Sequence, residues 1–253
     1  MVILSLFNGM SCGYMALQEA GIPVTKYYSS EVDKHAVAMS SILYPDTIQL
    51  GDVRNIDVNE LDKVDILIGG SPCQSFSFAG KMKGMSTKCE KEITSLEQYL
   101  ELKAQNFEFE GQSYLFWEYV RIYTELRLIN PDIKFFLENV LMVEKWERLI
   151  SKTLDVNPIM INSALLSAQN RKRLYWTNIG MAPAGLFGEM TSTIKQPEDK
   201  GVLLKDILEE NVADRFYLSD KALRYLEKDT TNGWSDRLSM LNYEDRDKAG
   251  CIT

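Results

Sequence analysis

Two short stretches of the sequence carry residue types that could form and break covalent bonds. Cys73 directly follows Pro72, and a partly exposed thiol held beside a rigid proline ring would suit a nucleophile. Glu138 opens the run Glu-Asn-Val, and a carboxylic acid there could protonate a ring nitrogen while the thiol attacks. A free cysteine is more often a small buried hydrophobe, and a lone glutamate more often a helix-start carboxylate. A thiol of ordinary pKa also needs activation at neutral pH.

The densest positive charge in the chain lies in residues 169–173 (QNRKR). Alternation along a strand would place Arg171 and Arg173 on one face, where their guanidinium groups could hold a base oxygen or a phosphate. The alternative is that these charges protect the edge of a sheet from pairing with other chains.

A glycine-rich loop and two carboxylates predict a site for adenosine. The loop of residues 7–13 (FNGMSCG) contains Gly9 and Gly13, which would let backbone N–H groups approach a ligand at a helix N-terminus. Glu31 stands where a carboxylate would accept hydrogen bonds from ribose hydroxyls, and Asp52 could accept one from an adenine amino group. Singly, each residue is more simply a turn glycine or a helix cap. Together they favour a cofactor that contains adenosine.

The glycine spacing narrows the choice of cofactor. Gly9 and Gly13 are separated by three residues, whereas a dinucleotide-binding loop has the pattern GxGxxG. A cradle for a pyrophosphate is therefore poorly supported. S-adenosylmethionine contains no phosphate and fits the loop better.

Alternating strands and helices must position these residues. The apolar pattern predicts strands at residues 2–7, 26–30, 47–50, 64–68, 134–137, 158–163 and 173–178. It predicts helices at residues 13–20, 33–43, 95–103 and 113–129. Residues 180–200, a mix of Gly, Pro, Ser and Thr, predict a loop, and residues 220–226 predict a short helical segment. This order indicates an α/β fold with a mostly parallel, doubly wound, Rossmann-like sheet. Ligands bind such sheets at the carboxyl ends of the strands, where the residues above are expected.

Composition excludes several classes of protein. A chain of 253 residues that is 45% hydrophobic and 25% charged is typical of a globular protein, and no apolar run is long enough to span a membrane. No signal peptide is recognisable, so we expect a cytoplasmic location. Four cysteines without a CxxC pair and a single histidine, His35, predict neither a disulfide framework nor a metal site. The net charge of −8 argues against a protein that binds nucleic acid through bulk electrostatics.

Six motifs, in order along the chain, resemble those of the DNA cytosine-5 methyltransferase family. They are SLFNGMSCG (5–13), SSEVD (29–33), GDVRNI (51–56), GGSPCQSFSFAG (69–80), FFLENV (135–140) and AQNRKRLYWTNI (168–179). The glycine loop alone is weak, whereas Pro-Cys-Gln, Glu-Asn-Val and Gln-x-Arg-x-Arg in this order are specific. The resemblance implies a class I methyltransferase fold.

The resemblance also implies a role for each matching residue. Cys73 would attack C6 of a flipped cytosine in duplex DNA, Glu138 would protonate N3, and Arg171 and Arg173 would position the base and the nucleophile. The residues implied to line the S-adenosylmethionine pocket are Phe7, Asn8, Gly9, Met10, Cys12, Gly13, Glu31, Val32, Asp52, Val53 and Pro72. Those implied to contact the substrate are Ser71, Gln74, Asn139, Val140, Lys81 and Lys83. Asn8 departs from the family, which often has a smaller residue or Asp at this position.

The resemblance implies two regions and a set of partners. Residues 1–179 would form the cofactor-binding catalytic domain, and residues 180–253 the start of a target-recognition domain whose later motifs are missing. Duplex DNA is the expected partner of a monomer that does not bind membranes. In a restriction-modification system, a cognate restriction endonuclease would be a second partner. Two alternatives stay open: a catalytically silent module that binds DNA or a protein partner, and a methyltransferase that acts on cytosine in RNA.

Overall fold

A seven-stranded sheet organises the computed structural model, which describes residues 1–72, 92–109, 111–184, 189–222 and 247–249. Its strands are β1 (Val2–Leu6), β2 (Lys26–Ser30), β3 (Ile48–Gln49), β4 (Ile66–Gly69), β5 (Lys134–Val140), β6 (Ile159–Asn162) and β7 (Lys172–Thr177). Their order is β3-β2-β1-β4-β5-β7-β6. The pairs among β1 to β5 are parallel, and β7 runs antiparallel to β5. The predicted α/β fold with a mostly parallel sheet is confirmed.

The described helices are α1 (Cys12–Glu19), α2 (Lys34–Leu43), α3 (Leu96–Ala104), α4 (Phe116–Ile129) and α5 (Glu144–Leu154). Two begin at side-chain caps, which satisfy N–H groups that have no partner in the first turn. Asp33 accepts from the backbone of His35 and Ala36 at the start of α2, and Ser95 accepts from Gln98 at the start of α3. The sequence analysis did not predict α5.

One face of the sheet carries most of the core. Phe116, Trp117 and Tyr119 of α4 are fully buried, together with Phe135 and Trp176 from the sheet. Burying a large apolar side chain contributes roughly 1.5–3 kcal/mol, so this layer holds α4 firmly on the sheet. The cluster on the opposite face is smaller and consists of Ile3, Tyr27 and Ile66.

Two predicted boundaries were wrong. β5 was expected to end at residue 137, but it continues through Glu138 to Val140 because β7 pairs with it along this length. Residues 180–200 were expected to be a loop, but they contain a hairpin of β8 (Met181–Ala184) and β9 (Glu189–Ser192). The predicted helical segment at residues 220–226 lies mostly outside the described residues.

The chain divides into two compact units. The first contains residues 1–161 and 173–194, and the second contains residues 162–172 and 195–253. The proposed domain boundary after residue 179 stays a prediction. In the described parts of the chain, no helix has both the length and the apolar character that crossing a bilayer would require.

Candidate functional site

The loop that follows β1 has an unusual backbone. Phe7, Gly9 and Ser11 have φ angles of 54°, 56° and 65°, which place three of five consecutive residues in the left-handed region. A residue other than glycine pays about 1–2 kcal/mol for this conformation, so neighbouring groups must hold it. A Cβ atom at Gly9 would meet nothing within 4 Å, so this side of the loop is open. The loop therefore presents bare backbone at the carboxyl end of β1.

Glu31 connects this loop to the end of β2. Its Oε2 atom accepts a hydrogen bond from the Gly9 N–H at 2.8 Å, and its Oε1 atom accepts from the N–H groups of Val32 and Asp33 at 2.8 and 2.9 Å. A carboxylate offers about four lone-pair positions, two on each oxygen. Oε1 uses both of its positions in these bonds, and Oε2 keeps one for a further donor such as a ribose hydroxyl.

Asn8 lies beneath the same loop and is only 8% exposed. Its Oδ1 atom accepts from the Tyr27 hydroxyl at 2.9 Å, and its Nδ2 atom donates to Ser11 Oγ at 2.8 Å. Burial raises the pKa of Tyr27 to about 12, so the Tyr27 hydroxyl stays protonated and can donate. The side chain of Asn8 is thus used by the protein, and its predicted contact with a cofactor stays a prediction.

Gly13 allows α1 to lie close to the sheet. A Cβ atom at this position would come within 2.4 Å of Ile68 Cδ1.

The other loop residues predicted to meet a cofactor differ in exposure. Met10 is 54% exposed, Val32 is 71% exposed and Cys12 is an exposed free thiol. Their predicted roles stay predictions.

Asp52 begins a short 3-10 turn, Val53–Asn55, after β3. Its carboxylate accepts hydrogen bonds at 3.0 Å from Arg54 Nε, and the Arg54 guanidinium keeps the pKa of Asp52 below its usual value. The Arg54 backbone N–H and its Nη2 group also donate to this carboxylate, so Arg54 occupies the acceptor positions of Asp52 in this structure. The predicted contact with an adenine amino group stays a prediction. The side chain of Val53 is buried in the core at 5% exposure, so only its backbone could meet a ligand.

A buried carboxylate on α4 supports the Asp52 turn. Glu118 is fully buried and pairs with Lys103 of α3 and with Arg121, whose Nε atom lies 2.7 Å from Glu118 Oε2. The hydroxyl of Tyr99 donates to Glu118 at 2.6 Å. Arg121 in turn donates to the carbonyl oxygen atoms of Val53 and Ile56 at 3.3 and 3.2 Å. Removing one partner of a buried ion pair typically costs 3–5 kcal/mol, so this cluster fixes the turn.

A second group of predicted site residues lies at the end of β5. Glu138 lies opposite Tyr175 in the β5–β7 register, and Arg173 is two residues before Tyr175 in β7, on the same face. Arg173 Nε lies 3.0 Å from Glu138 Oε1, and the two side chains are 11% and 31% exposed. A Cβ atom at Gly70 would come within 3.0 Å of Glu138 Oε2. The carboxyl group of Glu138 therefore lies between an arginine and a bare glycine backbone.

Asn139 links β5 to the segment that leads towards Cys73. Its Nδ2 atom donates to Ser71 Oγ at 3.0 Å and to the Ser71 carbonyl at 3.3 Å, and both side chains are buried. Pro72 and Val140 beside them are half-buried. In the structure Ser71 and Asn139 fix the backbone, and their predicted contact with substrate stays a prediction.

Four predicted site residues lie outside the described residues: Cys73, Gln74, Lys81 and Lys83. Their roles stay predictions. Arg171 belongs to the second unit, where its N–H donates to Asn162 Oδ1 at 3.0 Å and its carbonyl accepts from the Ser163 N–H at 3.0 Å. The proposed joint action of Arg171 and Arg173 also stays a prediction.

Lys248 supports the Arg171 segment within the second unit. Its Nζ atom donates to the carbonyl oxygen atoms of Ala164, Ser167 and Val202, the first two at 2.8 and 3.1 Å. The next residue, Ala249, donates to the Ala168 carbonyl at 2.7 Å and accepts from the Asn170 N–H at 2.8 Å. Residues 247–249 thus brace the turn that precedes Arg171.

Several of these supporting residues were not predicted from the sequence. Gly70 was noted only as part of a motif, and Glu118 and Arg121 were not noted at all. A charged residue within the apolar run FWEYV was the available signal, since a buried glutamate requires partners. The hydrogen bond between Asn8 and Tyr27 carried no such signal because the two residues are 19 positions apart.

Comparisons with known proteins agree with the motif order. A family model described as C-5 cytosine-specific DNA methylase matches residues 1–250. The chain is 30% identical to the orphan methyltransferase M.SPRI of Bacillus phage SPR, over 94% of this chain and 57% of that protein. It is 28% identical to the type II methyltransferase M1.ScrFI of Lactococcus lactis subsp. cremoris, over 87% of this chain and 51% of that protein. The chain spans about half the length of these curated relatives.

Two solved structures are similar in fold. The S. pombe Dnmt2 methyltransferase is 16% identical with a TM-score of 0.59, over 90% of this chain and 67% of that one. A Spodoptera frugiperda DNMT2 variant is 22% identical with a TM-score of 0.56, over 89% of this chain and 65% of that one. At these identities the likeness concerns the fold alone.

Proposed function

Because this chain belongs to the C-5 cytosine-specific DNA methylase family, we propose that it transfers a methyl group from S-adenosylmethionine to C5 of cytosine in duplex DNA. The observation that carries the proposal is the pairing of Glu138 with Arg173 at the end of β5. This pair stands beside Gly70, three residues before the proposed nucleophile Cys73. The arrangement supports a carboxyl group held in position to hydrogen-bond to a substrate base.

The described residues at the ends of β1 to β3 suit the proposed cofactor. Gly9 leaves open space beside a bare backbone, Glu31 keeps a lone pair for a hydroxyl donor, and Asp52 is an ionised acceptor. Val32 adds an exposed apolar side chain next to Glu31, on which an adenine ring could pack. These groups match the hydroxyls, amino group and apolar face of adenosine. When bound, S-adenosylmethionine would supply the electrophilic methyl group that C5 accepts.

The residues of this chain would prepare the cytosine for that transfer. The thiolate of Cys73 would add to C6, the π electrons of the C5–C6 bond would shift to the C4–C5 bond, and those of the C4–N3 bond would move onto N3. Glu138 would donate a proton to N3, which converts C5 into an enamine-like carbon. As C5 takes the methyl group, N3 would return its proton to Glu138. A base would then remove the C5 proton, and the electron pair of that C–H bond would restore the C5–C6 double bond and expel the Cys73 thiolate.

Arg173 and Gly70 would orient the acid. Arg173 holds one oxygen atom of Glu138 through its Nε–H group, which leaves the other oxygen on the side of Gly70. A group that transfers a proton must lie within hydrogen-bond distance of the atom it serves. The ion pair orients the carboxyl group, and the missing Cβ atom at Gly70 leaves room for its second oxygen atom.

The substrate would be a base rotated out of the duplex. C6 of cytosine cannot be reached inside stacked DNA, and flipping costs a few kcal/mol that protein contacts must offset. The net charge of −8 implies weak non-specific binding to DNA. A few placed cations would therefore hold the site, with Arg171, Lys81 and Lys83 as candidates. If the chain acts within a restriction-modification system, a cognate endonuclease would be its partner.

Transfer of a labelled methyl group from S-adenosylmethionine tests the proposal. The full-length protein is mixed with duplex DNA or with tRNA, and the acceptor is analysed for 5-methylcytosine. We expect label in the duplex and none after Cys73→Ser. Label in tRNA alone would favour the RNA alternative. Binding of DNA without any transfer would favour the catalytically silent module. Activity that survives Cys73→Ser would exclude the covalent mechanism.

A further inference from the structure

A chain of buried polar side chains supports the loop after β1. It begins at Tyr27 on β2, passes through Asn8 to Ser11, and ends at Ser40 on α2. The oxygen atoms of Ser11 and Ser40 are 2.6 Å apart. Because all four residues are buried or nearly so, each hydrogen bond is made inside the protein rather than exchanged with water.

This polar chain meets the backbone where the backbone is strained. Ser11 itself has a positive φ angle, and Asn8 lies between Phe7 and Gly9, which also have positive φ angles. The Asn8 N–H donates to the Ser30 carbonyl at 3.1 Å, and the next N–H, that of Gly9, donates to Glu31. Main-chain and side-chain bonds of Asn8 thus fix the peptide from which the Gly9 N–H points to Glu31.

We propose that Asn8 is a positioning residue for cofactor binding. Through Tyr27 and Ser11, it holds the loop in the conformation in which Gly9 engages Glu31 and one lone pair of Glu31 stays free for a ribose hydroxyl. This inference rests on the proposed function, since it takes S-adenosylmethionine to be the molecule that binds at this edge of the sheet.

Two replacements of Asn8 separate the effect of its hydrogen bonds on the loop from the effect of the space that its side chain fills. In Asn8→Leu, a side chain of similar size leaves the hydroxyl groups of Tyr27 and Ser11 without the amide, so the loop loses its support. In Asn8→Asp, both carboxylate oxygens can accept, one from each hydroxyl group, so the support is restored.

A matched control residue lies at the opposite end of the strands from the loop after β1. Asn130 is also buried, at 6% exposure, and its Nδ2 atom donates to the Val64 carbonyl at 2.9 Å. It follows α4 and precedes β5, so it lies at the amino ends of the parallel strands. Asn130→Leu should therefore lower thermal stability as Asn8→Leu does, without reaching the loop after β1.

The experiment measures binding of S-adenosylmethionine to the full-length protein by calorimetry, with the melting temperature of each variant recorded in parallel. We expect Asn8→Leu to weaken binding by about tenfold or more, and Asn130→Leu and Asn8→Asp to stay within about threefold of the wild type. Tyr27→Phe removes only one hydrogen bond and should weaken binding by an intermediate factor, so it replaces Asn8→Leu if that variant does not fold.

Two results would overturn the inference. One is that Asn8→Leu binds S-adenosylmethionine as tightly as Asn130→Leu does. If Asn8→Leu does not fold, the same comparison is made with Tyr27→Phe. The other is an Asn8→Asp variant that folds but binds as weakly as Asn8→Leu. Failure of the wild type itself to bind S-adenosylmethionine would instead contradict the proposed function, which keeps the two failures distinct.

Discussion

The backbone N–H of Gly9 donates to Oε2 of Glu31 at 2.8 Å and so joins the carboxyl ends of two neighbouring parallel strands. Glu31 was predicted only as a ligand for ribose. In the structure it also organises the loop that would receive the rest of the cofactor, because the same carboxylate accepts from Val32 and Asp33. Affinity for the cofactor should therefore depend on Glu31 in two ways, through direct contact and through the shape of the loop.

Glu31→Gln tests this double role. The amide has only one acceptor oxygen, so either Gly9 or the Val32 and Asp33 pair loses its partner. We expect the dissociation constant for S-adenosylmethionine to rise by about tenfold or more, and the free energy of unfolding to fall by about 1–2 kcal/mol. Calorimetry and urea unfolding measure the two effects.

The control for Glu31 is Asp62→Asn. Asp62 accepts from Lys26 and from the Tyr28 hydroxyl near the amino end of β2, away from the loop. This variant should lose stability without any change in cofactor affinity. A similar loss of affinity in both variants would show that Glu31 acts only through stability.

Gly70→Ala should impair chemistry rather than folding. The φ angle of Gly70 is not in the left-handed region, so alanine is not strained there, but its Cβ atom would lie 3.0 Å from Glu138 Oε2. We expect kcat to fall by about tenfold while the KM for S-adenosylmethionine stays within about twofold. In an Glu138→Ala background the same change should have no further effect, as a double-mutant cycle would report.

Arg173→Lys keeps the positive charge but loses the planar guanidinium group. Because the Nε–H of Arg173 orients Glu138, we expect kcat to fall by about tenfold or more. Arg148→Lys is the control, since Arg148 pairs with Glu144 on an exposed part of α5. The two variants are compared by their steady-state rates of methyl transfer to duplex DNA. Full activity of Arg173→Lys would mean that charge alone is enough.

Asp52 should make stability depend on pH in acid. Its pKa in the folded protein lies below the ordinary value of 3.8, chiefly because its side chain bonds to Arg54. A lowered carboxyl pKa contributes stability that is complete above the unfolded pKa and is lost as the pH falls through the folded pKa. We therefore expect the wild type to exceed Asp52→Asn by up to about 1 kcal/mol at neutral pH. The gap should close below about pH 4 in urea unfolding curves. A gap that widens in acid would contradict this assignment.

Lys248→Met should loosen the turn before Arg171. Methionine keeps an apolar stem of similar length but cannot donate to the carbonyls of Ala164, Ser167 and Val202. Hydrogen exchange of the Ala249 and Asn170 amides should become about tenfold faster, and exchange in β1 should not change. Lys205→Met, at an exposed position in the same unit, is the control. Unchanged exchange at Asn170 would show that Lys248 does not brace this turn.

Periodicity predicted most of the sheet because buried parallel strands are continuous apolar runs. β1, β2 and the cap of α2 at Asp33 were predicted within a residue or two. α5 was missed although Trp146, Ile150 and Leu154 recur every four residues, because charged residues dominate the rest of that helix. A helix with a narrow apolar stripe among charged residues is therefore harder to predict than a strand that is buried on both faces.

Site residues could be predicted only where the residue type itself indicates a chemical role. Glu138 and Arg173 were selected by type and order, but their contact depends on the β5–β7 register, which no local signal specifies. The predicted contact of Asn8 with the cofactor stays a prediction, and no local signal pointed to its hydrogen bond with Tyr27, 19 positions away. Residues that act through distant partners become visible only after the chain has folded.

Glu138 lies within a strand rather than in the loop after it. This position limits the insertions and deletions that can be tolerated during evolution. Side chains alternate between the two faces of a strand, so inserting or deleting one residue in β5 ahead of Glu138 would turn its carboxyl group away from Arg173. The spacing between Lys134 and Glu138 should therefore tolerate substitution but not a change of one residue in length. Length variation among homologues should collect instead in the connections between elements.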